Sequence, residues 1–322
     1  MRVLSGIQPS GSLHLGNYFG MMSKMIAYQE ESELFCFIAN YHAQTSLSDG
    51  KVLARGTIEA AANFLALGMD PEKSTFWVQS DVPEVQELTW ILSNFTPMGL
   101  LERCHSYKDK IGKGIAANHG LFAYPVLMTA DILLFQSEKV PVGKDQKQHV
   151  EMARDIAQRF NHHYGETFVL PEPVIGEHTA VLKGLDGRKM SKSYNNTIPL
   201  FANEKQLRKL IMKIKTNSLE PGEPKDTADS TLFEIYKAFA SEEEVRDIEK
   251  RYAEGIAWGE MKQLLFEYIN EHLKPAREEY ERLIANPGIV EAELLKGAGK
   301  ARERSAPFLA QIRDSIGIRR LG

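Results

Sequence analysis

The chain has 322 residues, of which 43% are hydrophobic and 25% are charged, and its formal net charge is −4. This composition is typical of a globular protein of about two domains and excludes a fibrous or disordered chain. The negative net charge excludes attraction of nucleic acid by the molecule as a whole, so any polyanion must be bound by local basic patches.

The first residues and the two cysteines indicate the compartment. Residues 1–6 enter a strand pattern without an apolar core or a cleavage site, and no stretch is long enough to span a bilayer. Cys36 lies in an apolar run, where we expect it to pack as a small core side chain, and Cys104 precedes His105. Two cysteines form neither a zinc cluster nor a disulfide framework. We therefore expect a cytoplasmic protein without a membrane partner.

The first predicted unit is a strand, a small-residue turn and a helix. Residues 2–7 are typical of a strand, and the helix is predicted over residues 13–30. Such a turn directs free backbone N–H groups at a phosphate, and the helix dipole adds positive potential. His14 and Asn17 are three residues apart and face the same way, while Gly16 leaves room for a flat ring. An ordinary connection with a surface histidine is the alternative.

Strand and helix patterns then alternate along the first half of the chain. Predicted strands cover residues 34–39, 75–79, 139–143 and about 168–170, and predicted helices cover 51–67, 83–95 and 124–135. This alternation predicts a doubly wound, Rossmann-type α/β fold, whose ligands bind at the carboxyl ends of the parallel strands. His42 follows the second strand and is therefore expected at that edge, although a loop histidine with ordinary partners remains an equal alternative.

The helix predicted over residues 124–135 carries a single charge, Asp131. Pro125 occupies a first-turn position, where proline is tolerated. A buried carboxylate needs a partner. Asp131 is therefore either part of a binding site or a structural acid bonded to a nearby amide or basic group.

A polar segment follows the strand predicted over residues 139–143. Gly143 ends that strand, and Asp145 and Gln146 precede an amphipathic helix. These two side chains either contact a ligand at the strand end or cap the helix. The apolar side of the helix carries Val150, Ala153, Ile156, Ala157 and Phe160.

Two further loops contain lysines that suit phosphate. Residues 108–114 are basic and contain glycine, and residues 184–193 contain Lys189 and Lys192 three positions apart. Lysine is a compact point charge, so either loop is able to close over phosphates. Solvated charge in the first loop and a plain linker in the second are the alternatives.

The second half of the chain changes character at about residue 197. Strand patterns vanish, and helices are predicted over residues 204–215, 232–240, 242–252, 261–272 and 291–316. This predicts an α-helical domain, residues 197–322, after a sheet domain, residues 1–196. The loop 216–229 is expected to couple the domains by its motion.

Three motifs occur in this order around the predicted sheet. They are Gly6-Ile7-Gln8-Pro9-Ser10-Gly11 with His14-Leu15-Gly16-Asn17, then Gly143-Lys144-Asp145-Gln146, then Lys189-Met190-Ser191-Lys192-Ser193. Together they resemble the motifs of the bacterial tryptophanyl-tRNA synthetases, which are class I aminoacyl-tRNA synthetases. The resemblance covers essentially the whole chain. The first motif and the spacing of Met128 and Asp131 resemble the tryptophan branch rather than the tyrosine branch.

The resemblance implies a site for ATP and catalytic residues beside it. The implied ATP-binding residues are Gln8, Pro9, Ser10, Gly16, Asn17, Gly143, Lys144, Asp145, Val181, Lys189, Met190, Ser191, Lys192 and Ser193. The implied catalytic residues are His14, Asn17, Lys110, Lys189 and Lys192. Asp145 is expected on the ribose, and the three lysines are expected at the phosphates. His14 stands where many members carry threonine, so we expect it to act more directly on phosphate.

The resemblance also implies a tryptophan pocket. Its implied residues are Gly6, His42, Tyr124, Met128, Asp131, Val140, Val142 and Gln146. Asp131 is expected to accept the indole N–H, and the empty pocket is expected to leave this acceptor unpaired. Gln146 is expected to hold the ammonium group. Leu4 replaces an aromatic residue that lies under the indole in relatives.

The implied reaction is the attack of an amino-acid carboxylate on the α-phosphorus of ATP, followed by transfer to tRNA(Trp). It needs charge neutralisation at the departing pyrophosphate and no general base, which matches a site rich in lysine. Mg²⁺ is expected on the phosphates without dedicated protein ligands, and a homodimer is implied. Lysines and arginines on residues 204–215 and on the last helix form two basic patches, of which we expect one to contact tRNA.

Three rival functions share part of this pattern. A tyrosyl-tRNA synthetase carries both class motifs. A small-molecule nucleotidyltransferase also begins a helix with His-x-Gly, but it lacks the long helical domain and the second lysine loop. A non-catalytic paralogue that binds tRNA is disfavoured by the intact Lys189, Lys192 and Asp145.

Overall fold

A computed structural model describes residues 1–9, 13–104, 108, 112, 118–175 and 182–319. In this part of the chain five parallel strands form one sheet in the order β3-β2-β1-β4-β5. The strands are β1 (Arg2–Ile7), β2 (Glu33–Ile38), β3 (Thr75–Val78), β4 (Lys139–Pro141) and β5 (Glu172–Val174). The chain builds outward from β1 to β3, and then places β4 on the other side of β1. The predicted doubly wound fold is confirmed.

The helices cover both faces of the sheet and make up most of the second half of the chain. Helices α1 (Leu15–Asn17) and α2 (Ser23–Glu31) are joined by a π-helical turn, Tyr18–Met22. The following helices are α3 (Asn40–Ala43), α4 (Gly50–Ala66), α5 (Glu84–Ser93), α6 (Met98–Glu102), α7 (His119–Leu134) and α8 (Lys147–Tyr164). The last are α9 (Glu204–Met212), α10 (Thr231–Phe239), α11 (Glu242–Ala253), α12 (Trp258–Ala285) and α13 (Pro287–Ser315).

The central strands β1 and β2 are mostly apolar after their first residue because both faces of the sheet are covered. Val3 and Cys36 belong to one buried cluster, which includes side chains of α2, α4 and the helices of the second half. Leu4 and Phe35 belong to the other, which includes side chains of α5, α7, α8 and α13. Buried parallel strands therefore lack polar alternation. Cys36 is a fully buried core side chain, as predicted, and burial raises the pKa of its thiol.

The fifth strand lies later in the chain than predicted. Residues 168–170 are not a strand, and β5 is Glu172–Val174. Phe168 is buried, but its backbone N–H and carbonyl are hydrogen-bonded to the side chain of Asn161, at 2.9 and 2.8 Å. Its backbone groups are therefore already used, and the apolar run marked a buried loop rather than a strand.

Two helices extend beyond their predicted ends through a proline. Helix α7 begins at His119 because the Asn118 side chain accepts the N–H of Leu121 at 2.8 Å, so Pro125 lies inside the helix rather than in its first turn. Helix α12 continues through Pro275 to Ala285. Packing holds this extension, since Leu283 is buried.

The last helix returns to the sheet. A Cβ on Gly297 would lie 1.7 Å from the carbonyl oxygen of Phe76, so α13 contacts the backbone of β3 directly. Arg302 forms a salt bridge with Glu84 at 2.9 Å, and Arg313 pairs with Glu87. The division at residue 196 stays a prediction. Among the described helices, none is long and apolar enough to cross a membrane.

Candidate active site

The predicted nucleotide-binding residues lie at the point where the strand order reverses. Strand β1 is central, with β2 on one side and β4 on the other, so Gln8 and Gly143 follow neighbouring strand ends. Gly6 is exposed although it belongs to the central strand. An open space therefore lies over Gly6 at the carboxyl edge, where doubly wound folds bind ligands.

His14 begins the helix that follows β1. Its backbone N–H donates to Oδ1 of Asn17 at 3.1 Å, so the Asn17 side chain folds back onto the start of the helix. The ring of His14 is 8% exposed, and its Nδ1 has no hydrogen-bond partner among the described residues. Burial, and then the charge of Lys192, lower the pKa of His14 from 6.5 to about 4. The imidazole is therefore neutral at pH 7, and its Nδ1 is buried next to Gly16.

Asn196 organises the loop that contains Lys189 and Lys192. Its Oδ1 accepts the N–H of Ser191 at 2.8 Å, and its Nδ2 donates to Asp186 and to the carbonyl of Lys189 at 2.7 and 3.1 Å. Asn196 is 2% exposed. The hydrogen bond from Nδ2 of Asn196 is the main reason that the pKa of Asp186 is lowered to about 2. The loop is thus held by one buried side chain that the sequence did not indicate.

The histidine helix and the lysine loop meet. A Cβ on Gly16 would lie 3.0 Å from Nδ1 of His14 and 3.4 Å from Cβ of Met190. Met190 is buried, whereas Lys189 and Lys192 on either side of it are exposed. Partial screening from water lowers the pKa of Lys192. Met190 therefore anchors the loop against the helix and leaves both lysine side chains at the surface of the site.

Asp131 forms the centre of a buried polar cluster. It is 4% exposed, and its Oδ2 lies 2.8 Å from Nε2 of His42. Nε2 of Gln79 donates to both carboxylate oxygens, at 2.9 Å each. Burial raises the pKa of Asp131, and the bonds from His42 and Gln79 oppose that shift. The prediction that the empty pocket leaves Asp131 unpaired is wrong, because two neighbouring strand ends supply donors.

Tyr124 lies between two histidines. Its hydroxyl is 2.7 Å from Nε2 of His149, which is buried, and its ring meets the ring of His42 edge-on with centroids 6.2 Å apart. Cys104 Sγ lies 3.3 Å from the same nitrogen of His149. The structure thus joins Tyr124, His42 and Asp131, three of the predicted pocket residues, in one contiguous group.

An aromatic wall stands beside Gly6. A Cβ on Gly6 would lie 2.6 Å from the ring of Phe37, so any larger residue here would have to displace this ring. Phe37 stacks on Trp77 with centroids 5.4 Å apart. Leu4 lies in the same buried cluster. Leu4 provides no aromatic surface beside Gly6, whereas Phe37 of β2 does.

The segment after β4 presents polar groups to solvent. Gly143, Lys144 and Asp145 are exposed, and Gln146 is half-buried. No side-chain hydrogen bond caps the short helical turn at residues 144–146 or the start of α8. Asp145 Oδ2 instead accepts from Nε2 of Gln146 at 3.1 Å. The structure does not support helix capping as the purpose of Asp145 and Gln146.

Comparison with known proteins decides the family. The model of the family described as tRNA synthetases class I (W and Y) matches residues 1–274 of this chain. The chain belongs to this family of class I synthetases.

Full-length relatives agree with this assignment. The tryptophan–tRNA ligase of Campylobacter jejuni is 53% identical over 99% of this synthetase and 100% of its own length. That of Pseudomonas aeruginosa is 50% identical over 99% of this synthetase and 74% of its own length. The crystal structure of the C. jejuni tryptophanyl-tRNA synthetase with ADP and tryptophan has a TM-score of 0.93 and 54% identity. It covers 98% of this synthetase and 100% of that chain.

The remaining predicted residues of the synthetase differ in burial, and some lie outside the described residues. Val140 is buried in β4, and Met128 and Val142 are half-buried. Ser10, Lys110 and Val181 lie outside the described residues. Pro9 is buried, and its carbonyl oxygen would lie 2.9 Å from a Cβ on Gly56.

Sequence reasoning missed four residues that shape the site. They are Phe37, Gln79, His149 and Asn196. Gln79 is the last residue of a predicted strand, so its position at the carboxyl edge was a usable signal. Phe37 and His149 lie in strand and helix patterns that any core residue satisfies, and Asn196 acts through contacts that no sequence spacing reveals.

Proposed function

We propose that this synthetase is a tryptophan–tRNA ligase. It activates L-tryptophan with ATP to tryptophanyl-adenylate and transfers the amino acid to the 3′ end of tRNA(Trp), in protein synthesis. The observation that carries the proposal is the approach of Met190 to the His14-Gly16 helix start, together with the buried Asp131 cluster at the carboxyl ends of β2 and β3. Full-length identity to tryptophan–tRNA ligases supports the choice of the amino acid.

The chemistry follows from the charges of the site. The tryptophan carboxylate is already ionised, so adenylation needs alignment with the α-phosphorus and neutralisation of the pyrophosphate that leaves. Lys189 and Lys192 supply mobile positive charge, with Lys110 expected beside them. His14, which is neutral at pH 7, supplies a hydrogen bond to phosphate rather than a charge. Asn17 joins it at the helix start.

The nucleotide is expected along the edge between β1 and β4. Gln8, Pro9, Gly16 and Asn17 are expected to contact it from one side, and Gly143, Lys144 and Asp145 from the other. Ser10 and Val181, which lie outside the described residues, are implied only by the resemblance. The exposed carboxylate of Asp145 suits the ribose hydroxyls. Met190, Ser191 and Ser193 place the lysine loop over the phosphates.

The amino acid is expected over Gly6. Asp131 accepts the indole N–H, Gln146 holds the ammonium group, and Tyr124 and His42 stand beside the ring. Met128, one helical turn before Asp131, and the valines Val140 and Val142 complete the walls. All of these residues except Gly6 are buried or half-buried.

Mg²⁺ is expected to arrive with ATP. Among the described residues, no group of three His, Cys, Asp or Glu side chains is placed to hold a metal ion. The basic side chains of the site repel a cation, so the phosphate oxygens are the donors that fit it. Bound there, the ion would neutralise phosphate charge, while Lys189 and Lys192 orient the leaving group.

We expect the synthetase to act as a homodimer in the cytoplasm, where its tRNA is found. Trp90 on α5 is 72% exposed and Met98 on α6 is 62% exposed. Tryptophan and methionine are enriched in protein interfaces, so these two side chains are the candidates for the dimer contact. Light scattering of the purified chain should give twice the monomer mass, and Trp90→Glu should shift it toward the monomer.

One basic patch suits tRNA better than the other. On α9, Leu207 and Ile211 are buried while the basic side chains on this helix and just after it are exposed, namely Lys205, Arg208, Lys209, Lys213 and Lys215. The second patch consists of Lys300, Arg302, Arg304 and Arg313 on α13 and Arg319 after it, while Arg320 lies outside the described residues. Four of these pair with acids of the sheet domain, Glu72, Glu84, Glu33 and Glu87. The α9 patch therefore keeps more free positive charge for phosphates.

Amino-acid-dependent pyrophosphate exchange tests the activity. The purified protein should exchange pyrophosphate into ATP with L-tryptophan and far less with L-tyrosine. Exchange with tyrosine alone would establish the tyrosine branch, and absence of exchange with both would establish a non-catalytic paralogue.

Charge reversal tests the tRNA patch. The double variant Lys209→Glu, Lys213→Glu should lower kcat/KM for tRNA at least about tenfold while exchange without tRNA is unchanged. Arg304→Ala on α13 is the matched control and should leave both activities near wild type. The opposite pattern would move the tRNA contact to α13.

A further inference from the structure

Gln79 holds the carboxylate of Asp131 with its entire side-chain amide. The side chain is 1% exposed and lies directly after β3. Its Nε2 donates to Oδ1 and Oδ2 of Asp131 at 2.9 Å each, and its Oε1 accepts the backbone N–H of Tyr41 at 3.1 Å. A backbone N–H is only a donor, so it must face the oxygen of the amide. Nε2 is thereby obliged to face Asp131.

The two oxygens of Asp131 are used unequally. Oδ2 receives Nε2 of Gln79 and also Nε2 of His42, which lies 2.8 Å away. Oδ1 receives only Nε2 of Gln79 among the described residues. A carboxylate oxygen accepts about two hydrogen bonds in the carboxylate plane. Oδ2 is therefore filled, and Oδ1 keeps one acceptor position.

We infer that Gln79 is a positioning residue for amino-acid specificity: it turns the Asp131 carboxylate so that Oδ1 is offered to the ring N–H of the substrate. The inference rests on the proposed function. Gln79 itself does not touch the substrate. The last side-chain torsion of Asp is soft, so one bond from His42 at Oδ2 leaves the other oxygen free to swing. Nε2 of Gln79 lies 2.9 Å from both oxygens, so one N–H shared between them, on a side chain that is itself held by Tyr41, fixes the plane.

The consequence separates this role from general support of the core. A substrate that donates a hydrogen bond to Asp131 needs the carboxylate in one orientation. A substrate of the same shape without a donor gains nothing from that orientation. Loss of Gln79 should therefore reduce discrimination between the two substrates.

The experiment compares Gln79→Met with the wild type, using L-tryptophan and its benzothiophene analogue, which lacks the ring N–H. In pyrophosphate exchange, kcat/KM for tryptophan should fall roughly 10- to 100-fold, the loss expected for one hydrogen bond to a charged group. The value for the analogue should change little, so the ratio of the two shrinks. An equal fall for both substrates would overturn the inference.

Ser80→Ala is the matched control. Ser80 adjoins Gln79, and its Oγ accepts a hydrogen bond from Asn40 at 2.8 Å, but it does not contact Asp131. This variant should keep the wild-type ratio of the two substrates. A ratio reduced as much as in Gln79→Met would show that any loosening of these strand ends suffices, and would overturn the inference. Failure of wild-type exchange with tryptophan would instead contradict the proposed function.

A second variant serves if Gln79→Met does not fold. Gln79→Glu keeps the size of the side chain, but the new carboxyl group donates to Asp131 only when it carries a proton. The titratable group that position 79 contacts is Asp131, and His42 contacts Asp131 from its other side. Its kcat/KM for tryptophan should rise, relative to wild type, as the pH falls. A pH profile parallel to that of the wild type would overturn the inference.

Discussion

Gly16 faces Met190 across the site, and a Cβ on Gly16 would lie 3.4 Å from Cβ of Met190, in ordinary van der Waals contact. The same Cβ would lie 3.0 Å from Nδ1 of His14. A Cβ at this position therefore fits against Met190 but crowds the His14 ring, which must shift by a few tenths of an ångström.

Gly16→Ala should lower kcat for pyrophosphate exchange without loss of stability. Alanine favours a helix over glycine by about 1 kcal/mol, which offsets the crowding near His14. The measurement is exchange kinetics together with the thermal midpoint. Gly20→Ala, in the same helical segment with open space around it, is the control and should keep full activity. Unchanged kcat in Gly16→Ala would show that this contact is not needed.

His14 should make the protein less stable in acid. Its pKa is about 4 in the folded chain, where burial and Lys192 oppose the charge, and about 6.5 when unfolded. The unfolded chain therefore binds more protons between these values, and stability is lost as the pH falls from about 6.5 to about 4. His14→Gln should lose less stability over this interval. Thermal midpoints at pH 7 and pH 4.5 compare the two, and equal losses would contradict the assignment.

Lys192→Ala should lower kcat for adenylation far more than it raises KM for tryptophan. Its charge matters mainly as pyrophosphate departs, which is a transition-state effect. Lys205→Ala, an exposed lysine on α9, is the control for exchange without tRNA. An effect confined to KM for tryptophan would remove Lys192 from the phosphate site.

Asp131→Asn should lower kcat/KM for tryptophan by about 10- to 100-fold, since hydrogen bonds to a charged acceptor are the strong ones. The new amide also turns a donor toward Gln79 or His42, both of which donate to Asp131. ATP binding measured alone should barely change. Asp155→Asn, an exposed acid on α8, is the control. If ATP binding weakens instead, Asp131 is a structural acid.

Asn196→Ala should loosen the lysine loop. It removes the acceptor of the Ser191 N–H and the donor to Asp186 and Lys189, at a cost of about 1–3 kcal/mol for buried groups left unpaired. The pKa of Asp186 should rise from about 2 toward its usual value, because its largest stabilising bond is lost. Carboxyl titration by NMR and proteolysis within residues 184–196 measure both effects. A loop as resistant as that of the wild type would contradict the role of Asn196.

Prediction from sequence succeeded where a local pattern has one physical outcome. Strands β1 to β4 and helix α4 lie within about two residues of the predicted bounds, because apolar runs between turn residues have few alternatives. It failed for β5, where Asn161 captured the backbone of Phe168. It also failed for the start of α7, where Asn118 rather than a proline sets the first turn.

The sequence by itself determined the succession of strands and helices along the chain, the three motifs and the lone acid in an apolar helix. These follow from periodicity and residue type. Only the tertiary structure decided that Gln79 and His42 reach Asp131, that Met190 rests on Gly16 and that Asn196 holds the loop. Each of these contacts joins residues far apart in the chain. Their distances depend on how helices pack on the sheet, and a linear spacing does not contain that information.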